Sequence, residues 1–159
     1  MLSKIKKYIT ELLVFGVILS AYMITLAPNL TWVNVDSDSA HLLYAAKYLY
    51  LAHKTSAPLY LLLGHLFLYI PIGSEYWRMG LISVLGGICT CLFVYLTIKA
   101  SLSAPMSDSK KRFFALIGVL VYGGSVLVFS QTSIAKYYTL VTMFCVGAYY
   151  FAIVKRWYW

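Results

Sequence analysis

The residues best suited to chemistry form an acidic, hydroxyl-rich run at 36–39. Asp36 and Asp38 alternate there with two serines, and an apolar stretch compatible with a helix follows at 40–52. A carboxylate in such a place can accept a proton from an acceptor hydroxyl, or hold a divalent metal near a phosphate. Asp and Ser are also favoured at helix N-termini, where they accept hydrogen bonds from free backbone amides. Residue types alone favour the capping role, which does not exclude the catalytic one.

Further polar residues extend this candidate site. His41 follows Asp38 by three residues, which puts both side chains on one face of a helix. Such a pair can supply two metal ligands, but two ligands do not make a site, and a histidine at an interface is the simpler interpretation. His53 and Lys54 form a cationic pair that either contacts a phosphate or lies in an exposed loop. Lys136 is a candidate to pair with a lipid phosphate or with the acidic run, or to be an interfacial lysine.

The composition places these groups in a membrane protein. Of the 159 residues, 62% are hydrophobic and 11% are charged, whereas soluble domains are about 45–50% apolar and about 25% charged. A chain with so little polar surface cannot cover itself in water, which excludes a soluble enzyme, a disordered tail and a secreted disulfide scaffold. The net charge of +8 is explained by basic cytoplasmic loops. The expected partner is therefore the lipid bilayer and not a nucleic acid.

The apolar stretches predict an all-α integral membrane protein with about four transmembrane helices. A spanning helix needs about 20 apolar residues. A further stretch at 57–72 has only 16 residues, so we expect it to lie on the outer face, as a second surface helix after 40–52. The whole chain, 1–159, is expected to form a single membrane domain. The predicted spans lie at about 9–27, 79–98, 113–130 and 137–154.

Basic clusters decide the predicted orientation, because Lys and Arg concentrate in cytoplasmic loops. With four spans, all three clusters fall on the side of the N-terminus, which is therefore expected to be cytoplasmic. If 57–72 also crossed the membrane, the cluster at 110–112 would face outward. The loop 28–78, with the acidic run, is then on the outer (periplasmic, extracellular or lumenal) face. The three clusters lie at 4–7, 99–112 and 155–156.

Several short motifs, in consistent order over about 25–140, resemble a known family. Residues 25–28 are Thr-Leu-Ala-Pro, and residues 58–67 are Pro-Leu-Tyr-Leu-Leu-Leu-Gly-His-Leu-Phe. The series includes Ala52-His53, Trp77-Arg78, Leu81-Ile82-Ser83, Ser130-Gln131 and Tyr138-Thr139-Leu140. Together they resemble the N-terminal part of the protein O-mannosyltransferase-like membrane glycosyltransferases, which have the C-type glycosyltransferase fold. Because the likeness covers only the first helices of that fold, it implies an N-terminal fragment with a partial fold, which a further segment or a partner chain completes.

The resemblance also implies roles for the polar residues. Counting back from His53 aligns Asp38 with the acidic residue of the family's first outer loop, which is the expected catalytic base or metal-associated carboxylate. Asp36 is the secondary candidate. His53 and Lys54 are then expected to approach the phosphate of a polyprenyl-phosphate sugar donor. A divalent metal is a candidate cofactor.

Two departures from the family pattern leave two functions open. His41 and Lys136, both neighbours of the expected site, stand where the family's motifs have glutamate. The first hypothesis is a membrane glycosyltransferase that transfers a sugar from a polyprenyl-phosphate donor to an acceptor on the outer face. The alternative is a non-catalytic membrane scaffold or assembly subunit with a degenerate or partial glycosyltransferase fold. Substitution of Asp38 abolishes transfer under the first hypothesis and alters only stability or partner binding under the second.

Overall fold

The computed structural model describes residues 2–30, 37–52, 57–102 and 105–154. These residues form helices joined by turns, without a strand among them, so the all-α prediction is confirmed. In chain order the helices are α1 (Leu2–Thr25), α2 (Ser37–Tyr48), α3 (Pro58–Phe67), α4 (Glu75–Ser101), α5 (Asp108–Gly123), α6 (Val126–Thr132) and α7 (Tyr138–Tyr149), which continues into a π-helical segment, Tyr150–Val154.

Two of the described helices are long and apolar enough to cross a bilayer. They are α1, through its window Tyr8–Thr25, and the 27-residue α4. The latter begins four residues before the predicted span, because Ser74 caps it by accepting a hydrogen bond from the Trp77 amide at 3.0 Å. Helices α5 and α6 make a third span only if the pair, bent by 65°, crosses as one unit. The fourth stretch forms a shorter apolar helix, Tyr138–Ala152, so the count of four spans stays a prediction.

Both helices expected in the first loop are present. Helix α2 starts at Ser37, with Asp38 in its first turn, where a carboxylate interacts favourably with the helix dipole. Helix α3 starts at Pro58, a position where the missing amide costs no helical hydrogen bond. The two helices pack on each other and on the start of α4. Their shared cluster of buried side chains includes Leu42, Ala45, Ala46, Tyr60, Leu61, Tyr76, Met79 and Ile82.

Helix α4 is the centre of the bundle and packs along both α5 and α7. A Cβ atom on Gly86 would lie 2.8 Å from the backbone nitrogen of Leu140. Only glycine therefore lets the backbones of α4 and α7 come this close. Helix α1 is tied to the end of α5 by Tyr22, whose hydroxyl donates a 2.7 Å hydrogen bond to the Gly123 carbonyl.

The turns between these helices meet at one end of the bundle. The amide of Ala27, just after α1, donates to the Ser133 carbonyl at 2.9 Å. The Ser74 hydroxyl donates to the carbonyl of Pro28. We call this the loop end; it contains α2, α3, the start of α4 and residues 133–137.

The opposite end, which we call the basic end, is joined by charged side chains. Arg112 of α5 forms an ion pair with Glu11 of α1, with 2.5 Å between Nη2 and Oε2. The hydroxyl of Tyr95, on α4, donates to Glu11 Oε1 at 3.0 Å. Lys99 and Asp108 form a second ion pair at 3.2 Å. Three helices are thus held together by polar contacts at this end.

Candidate functional site

Asp38 is exposed at the start of α2. The helix is held from its other side, where Leu42, Ala45 and Ala46 are buried in the cluster shared with α3 and α4. An apolar face thus fixes α2, and the carboxylate is left accessible. This agrees with the sequence prediction of an acidic residue at a helix start, and it is compatible with both the dipole interaction and a chemical role.

His41 lies one turn further along α2 and is partly buried. Its ring packs edge-to-face on the ring of Tyr50, with 5.7 Å between the centroids. Among the described residues, no group of three or more His, Cys, Asp or Glu side chains is arranged to hold a metal ion. Within this part of the chain, Asp38 and His41 therefore gain no third ligand.

Lys136 lies in the turn between α6 and α7, and Ser83 of α4 fixes its backbone. The buried Ser83 hydroxyl donates to the Lys136 carbonyl at 2.8 Å and accepts from the Lys136 amide at 3.1 Å. The neighbours Ala135 and Tyr137 pack in or against the same cluster as α2. The fold therefore brings Lys136 to the same end of the molecule as Asp38 and His41, although it lies about a hundred residues further along the chain.

A cleft opens beside the Lys136 turn, between the bent α5–α6 pair and α7. Its volume is about 390 Å³. The Nζ atom of Lys136 lies 6.0 Å from the centre of the Tyr138 ring, which belongs to the cleft wall. The wall mixes aromatic, apolar and hydrogen-bonding side chains: Tyr122, Leu127, Val128, Gln131, Tyr138, Thr139 and Thr142.

Three predicted site residues lie outside the described part of the chain. Asp36 falls in 31–36, and His53 and Lys54 fall in 53–56. Their assignments as secondary carboxylate and as phosphate-binding cations stay predictions.

Two further residues hold the site together and were not given that role from the sequence. Nδ1 of His65, on α3, is 2.9 Å from the Ala46 carbonyl of α2. Arg78, on α4, donates from Nη1 to the carbonyls of Leu68 and Ile70, at 2.5 and 2.8 Å. These carbonyls directly follow α3, and a cation near the C-terminus of a helix is favourable for its dipole. Both residues lie in motifs that carry the family resemblance. Membership in those motifs was the sequence signal that could have identified them.

The comparison with protein families agrees with that resemblance. Residues 38–158 match the family described as the protein O-mannosyl-transferase TMEM260 N-terminal domain. The matched segment begins at Asp38, the second residue of α2, and extends past the end of α7. Neither a curated protein nor a solved structure matches the chain. Since the match covers most of its length, this chain belongs to the family of the protein O-mannosyl-transferase TMEM260 N-terminal domain.

Proposed function

We propose that this chain acts in a membrane glycosyltransferase of the C-type fold, together with a further segment or partner chain that completes that fold. It transfers a sugar, mannose by the name of its family, from a polyprenyl-phosphate donor to a hydroxyl group of a protein acceptor. The observation that carries the proposal is the exposed carboxylate of Asp38, which stands at the start of the family match and at the end of the bundle where α1 ends and α4 begins.

Asp38 is the proposed base. The acceptor oxygen forms a bond to the anomeric carbon of the sugar, and its proton passes to the Asp38 carboxylate. The bond between that carbon and the donor's phosphate oxygen breaks, and its electron pair stays on the phosphate. A positioned base of this kind contributes about 10²–10⁴-fold to the rate.

The donor is proposed to lie between Asp38 and the cleft beside Lys136. A phosphate is stabilised by charge-assisted hydrogen bonds from cations. Lys136 supplies such a cation, on a turn whose backbone Ser83 fixes. His53 and Lys54 are the other proposed phosphate-binding residues. In the cleft wall, Gln131 offers hydrogen-bonding groups to a sugar, and apolar side chains offer contacts to a prenyl chain.

Charge supports an orientation in which the loop end faces outward. The basic end carries Lys99, Lys110, Lys111 and Arg112 within or beside candidate spans. Such clusters favour the cytoplasmic side. The reaction would then take place on the outer face, as the sequence predicts.

Asp38→Asn tests the proposal in the protein expressed from its native coding region. In sealed vesicles that contain polyprenyl-phosphate mannose, transfer to an acceptor peptide is expected to fall by about 100-fold or more. Asp108→Asn is the matched control, since Asp108 is also an exposed aspartate in the first turn of a helix, but at the basic end. We expect that control to keep the wild-type rate, and transfer to require the acceptor on the side of loop 28–78.

Two results would contradict parts of this proposal. An unchanged rate for Asp38→Asn would remove Asp38 from the chemistry. Absence of transfer by the wild type, with every polyprenyl-phosphate sugar supplied, would reject the enzyme itself.

A non-catalytic scaffold is the second candidate function. It is favoured by His41 and Lys136, which stand where the motifs of the resembling family have glutamate, and by the ring of His41, which packs on Tyr50. A scaffold binds no donor, so equilibrium binding of a polyprenyl-phosphate sugar separates the two candidates. Saturable binding that Asp38→Asn leaves intact, while transfer is lost, supports the enzyme.

A further inference from the structure

The C-terminal end of α2 carries an exposed aromatic and apolar surface that the proposed chemistry does not use. The exposed Tyr44 ring contacts the rings of Tyr48 and Tyr50, with centroid distances of 4.6 and 5.3 Å. Between and beyond these tyrosines, Leu49 and Leu51 are 55% and 83% exposed. We call these five residues the aromatic turn.

Leu49 adopts a backbone conformation in this turn that is unfavourable for leucine. Its φ is +54°, in the left-handed region, and the Tyr50 amide donates to the Ala45 carbonyl at 3.2 Å. This hydrogen bond closes a helix whose next residue is left-handed, a position that glycine usually occupies because a Cβ atom is strained there. Leu49 belongs to neither cluster of buried side chains in the described residues. Among the described residues, its side chain is therefore kept at a strained position without packing in the core, which points to a contact outside these residues.

The contact of Lys47 with α4 indicates the depth of the aromatic turn. Its Nζ atom lies 2.7 Å from Oε1 of Glu75, the first residue of α4. Helix α4 has 27 residues, or about 40 Å at 1.5 Å per residue, which exceeds the ~30 Å hydrocarbon core. Its charged first turn therefore lies at headgroup level, and Lys47 directly precedes Tyr48. Tyrosine is enriched at that level because it has an apolar ring and a polar hydroxyl.

We propose that the aromatic turn is a lipid-binding surface that anchors α2 in one leaflet of the bilayer. Leu49 and Leu51 insert among the first acyl carbons, and the tyrosines lie among the headgroups. Since the other face of α2 is buried against α3 and α4, the anchor fixes the height of the whole helix and of Asp38 at its other end.

The depth of Leu51 in a bilayer tests this proposal. In the native protein with Cys89, Cys91 and Cys145 replaced by alanine, Leu51→Cys carries an environment-sensitive fluorophore in phosphatidylcholine vesicles. Spin-labelled lipid quenches it from within the bilayer, and iodide on both sides quenches it from water. We expect strong quenching by the lipid and weak quenching by iodide. The control Ser109→Cys, exposed in the charged first turn of α5, should show the reverse.

Two outcomes of this measurement overturn the proposal. Quenching by iodide and not by lipid places the aromatic turn in water. Protection from both quenchers means that a protein segment covers it, and the surface is then a protein interface.

Leu49→Gly gives an independent measurement, because it removes the inserted side chain and also relieves the left-handed strain. We expect lipid quenching at position 51 to fall while Tm in detergent stays the same or rises. Leu49→Ala is the matched control, since it removes most of the side chain but keeps the strain, so it should lose quenching without the gain in Tm. A lower Tm for Leu49→Gly means that Leu49 packs inside the protein, and it contradicts the proposal. None of these measurements needs transfer activity, so their failure is distinct from a failure of the catalytic role of Asp38.

Discussion

The two ends of the bundle use charge in different ways. At the basic end, Glu11 is only 8% exposed, and its carboxylate accepts hydrogen bonds from Arg112 and Tyr95. At the loop end, Asp38 is exposed, and the side chains of the Lys47–Glu75 pair are both well exposed. At the basic end, these charged side chains join helices to one another. At the loop end, Arg78 binds backbone carbonyls after α3, but the charged groups of Asp38, Lys47 and Glu75 are accessible from outside the bundle.

This difference determines how strongly charged pairs hold the helices together at each end. A buried ion pair is difficult to break because the remaining partner has no water to solvate it, whereas an exposed pair separates with little loss. The basic end therefore fixes α1, α4 and α5 relative to one another. At the loop end, apolar contacts hold α2, and the charged residues of α2 are left accessible.

The largest expected effect on stability is that of Arg112→Met. It leaves the Glu11 carboxylate buried without its cation, which costs about 3 kcal/mol of unfolding free energy. Chemical denaturation in mixed micelles measures the loss. Adding Glu11→Gln to the same protein should recover part of it, because the uncompensated charge is then gone. Lys99→Met, at the more exposed pair of the same end, should cost much less; an equal cost would show that burial does not decide the strength of these pairs.

Gly86→Ala tests the close packing that positions the Lys136 turn. The new Cβ atom would lie 2.8 Å from backbone atoms of Thr139 and Leu140, which cannot yield by a side-chain rotation. We expect a loss of about 1–3 kcal/mol, as for other overpacked sites. Gly118→Ala, nearer the basic end, is the control, since its Cβ atom would meet only Cδ1 and Cγ1 of Ile98, the far end of a flexible side chain. Equal Tm values for the two variants would contradict the backbone contact between α4 and α7.

Local sequence signals were enough to locate most helices. Apolar runs marked α1 and α4, and Pro58 and the acidic run marked the starts of α3 and α2. The bend between α5 and α6 was missed, because 113–130 is continuously apolar and only Gly124 and Ser125 interrupt the helix. The family was predicted from dispersed motifs, and the match over 38–158 confirms it.

Contacts between distant residues were beyond local patterns. The Ser83–Lys136 hydrogen bonds join residues 53 positions apart, and no periodicity encodes such a pair. For the candidate site, the sequence predicted an acidic residue at the start of a helix, and Asp38 is found there. Its catalytic role stays a prediction, which the transfer rate of Asp38→Asn tests.

The smallest expected effect is that of Lys47→Met, at the exposed pair of the loop end. The hydrogen bond and charge of Glu75 raise the pKa of Lys47, so the protonated lysine favours the folded state. This contribution is complete below the unfolded pKa of lysine, about 10.4, and is lost as the pH rises through the raised folded pKa. The Tm difference between wild type and Lys47→Met should therefore be small at neutral pH, and should vanish at higher pH and in about 1 M salt, where the Debye length is about 3 Å. A difference as large as that of Arg112→Met would mean that the two ends hold their charges equally tightly, and the distinction between a structural end and an accessible end would fail.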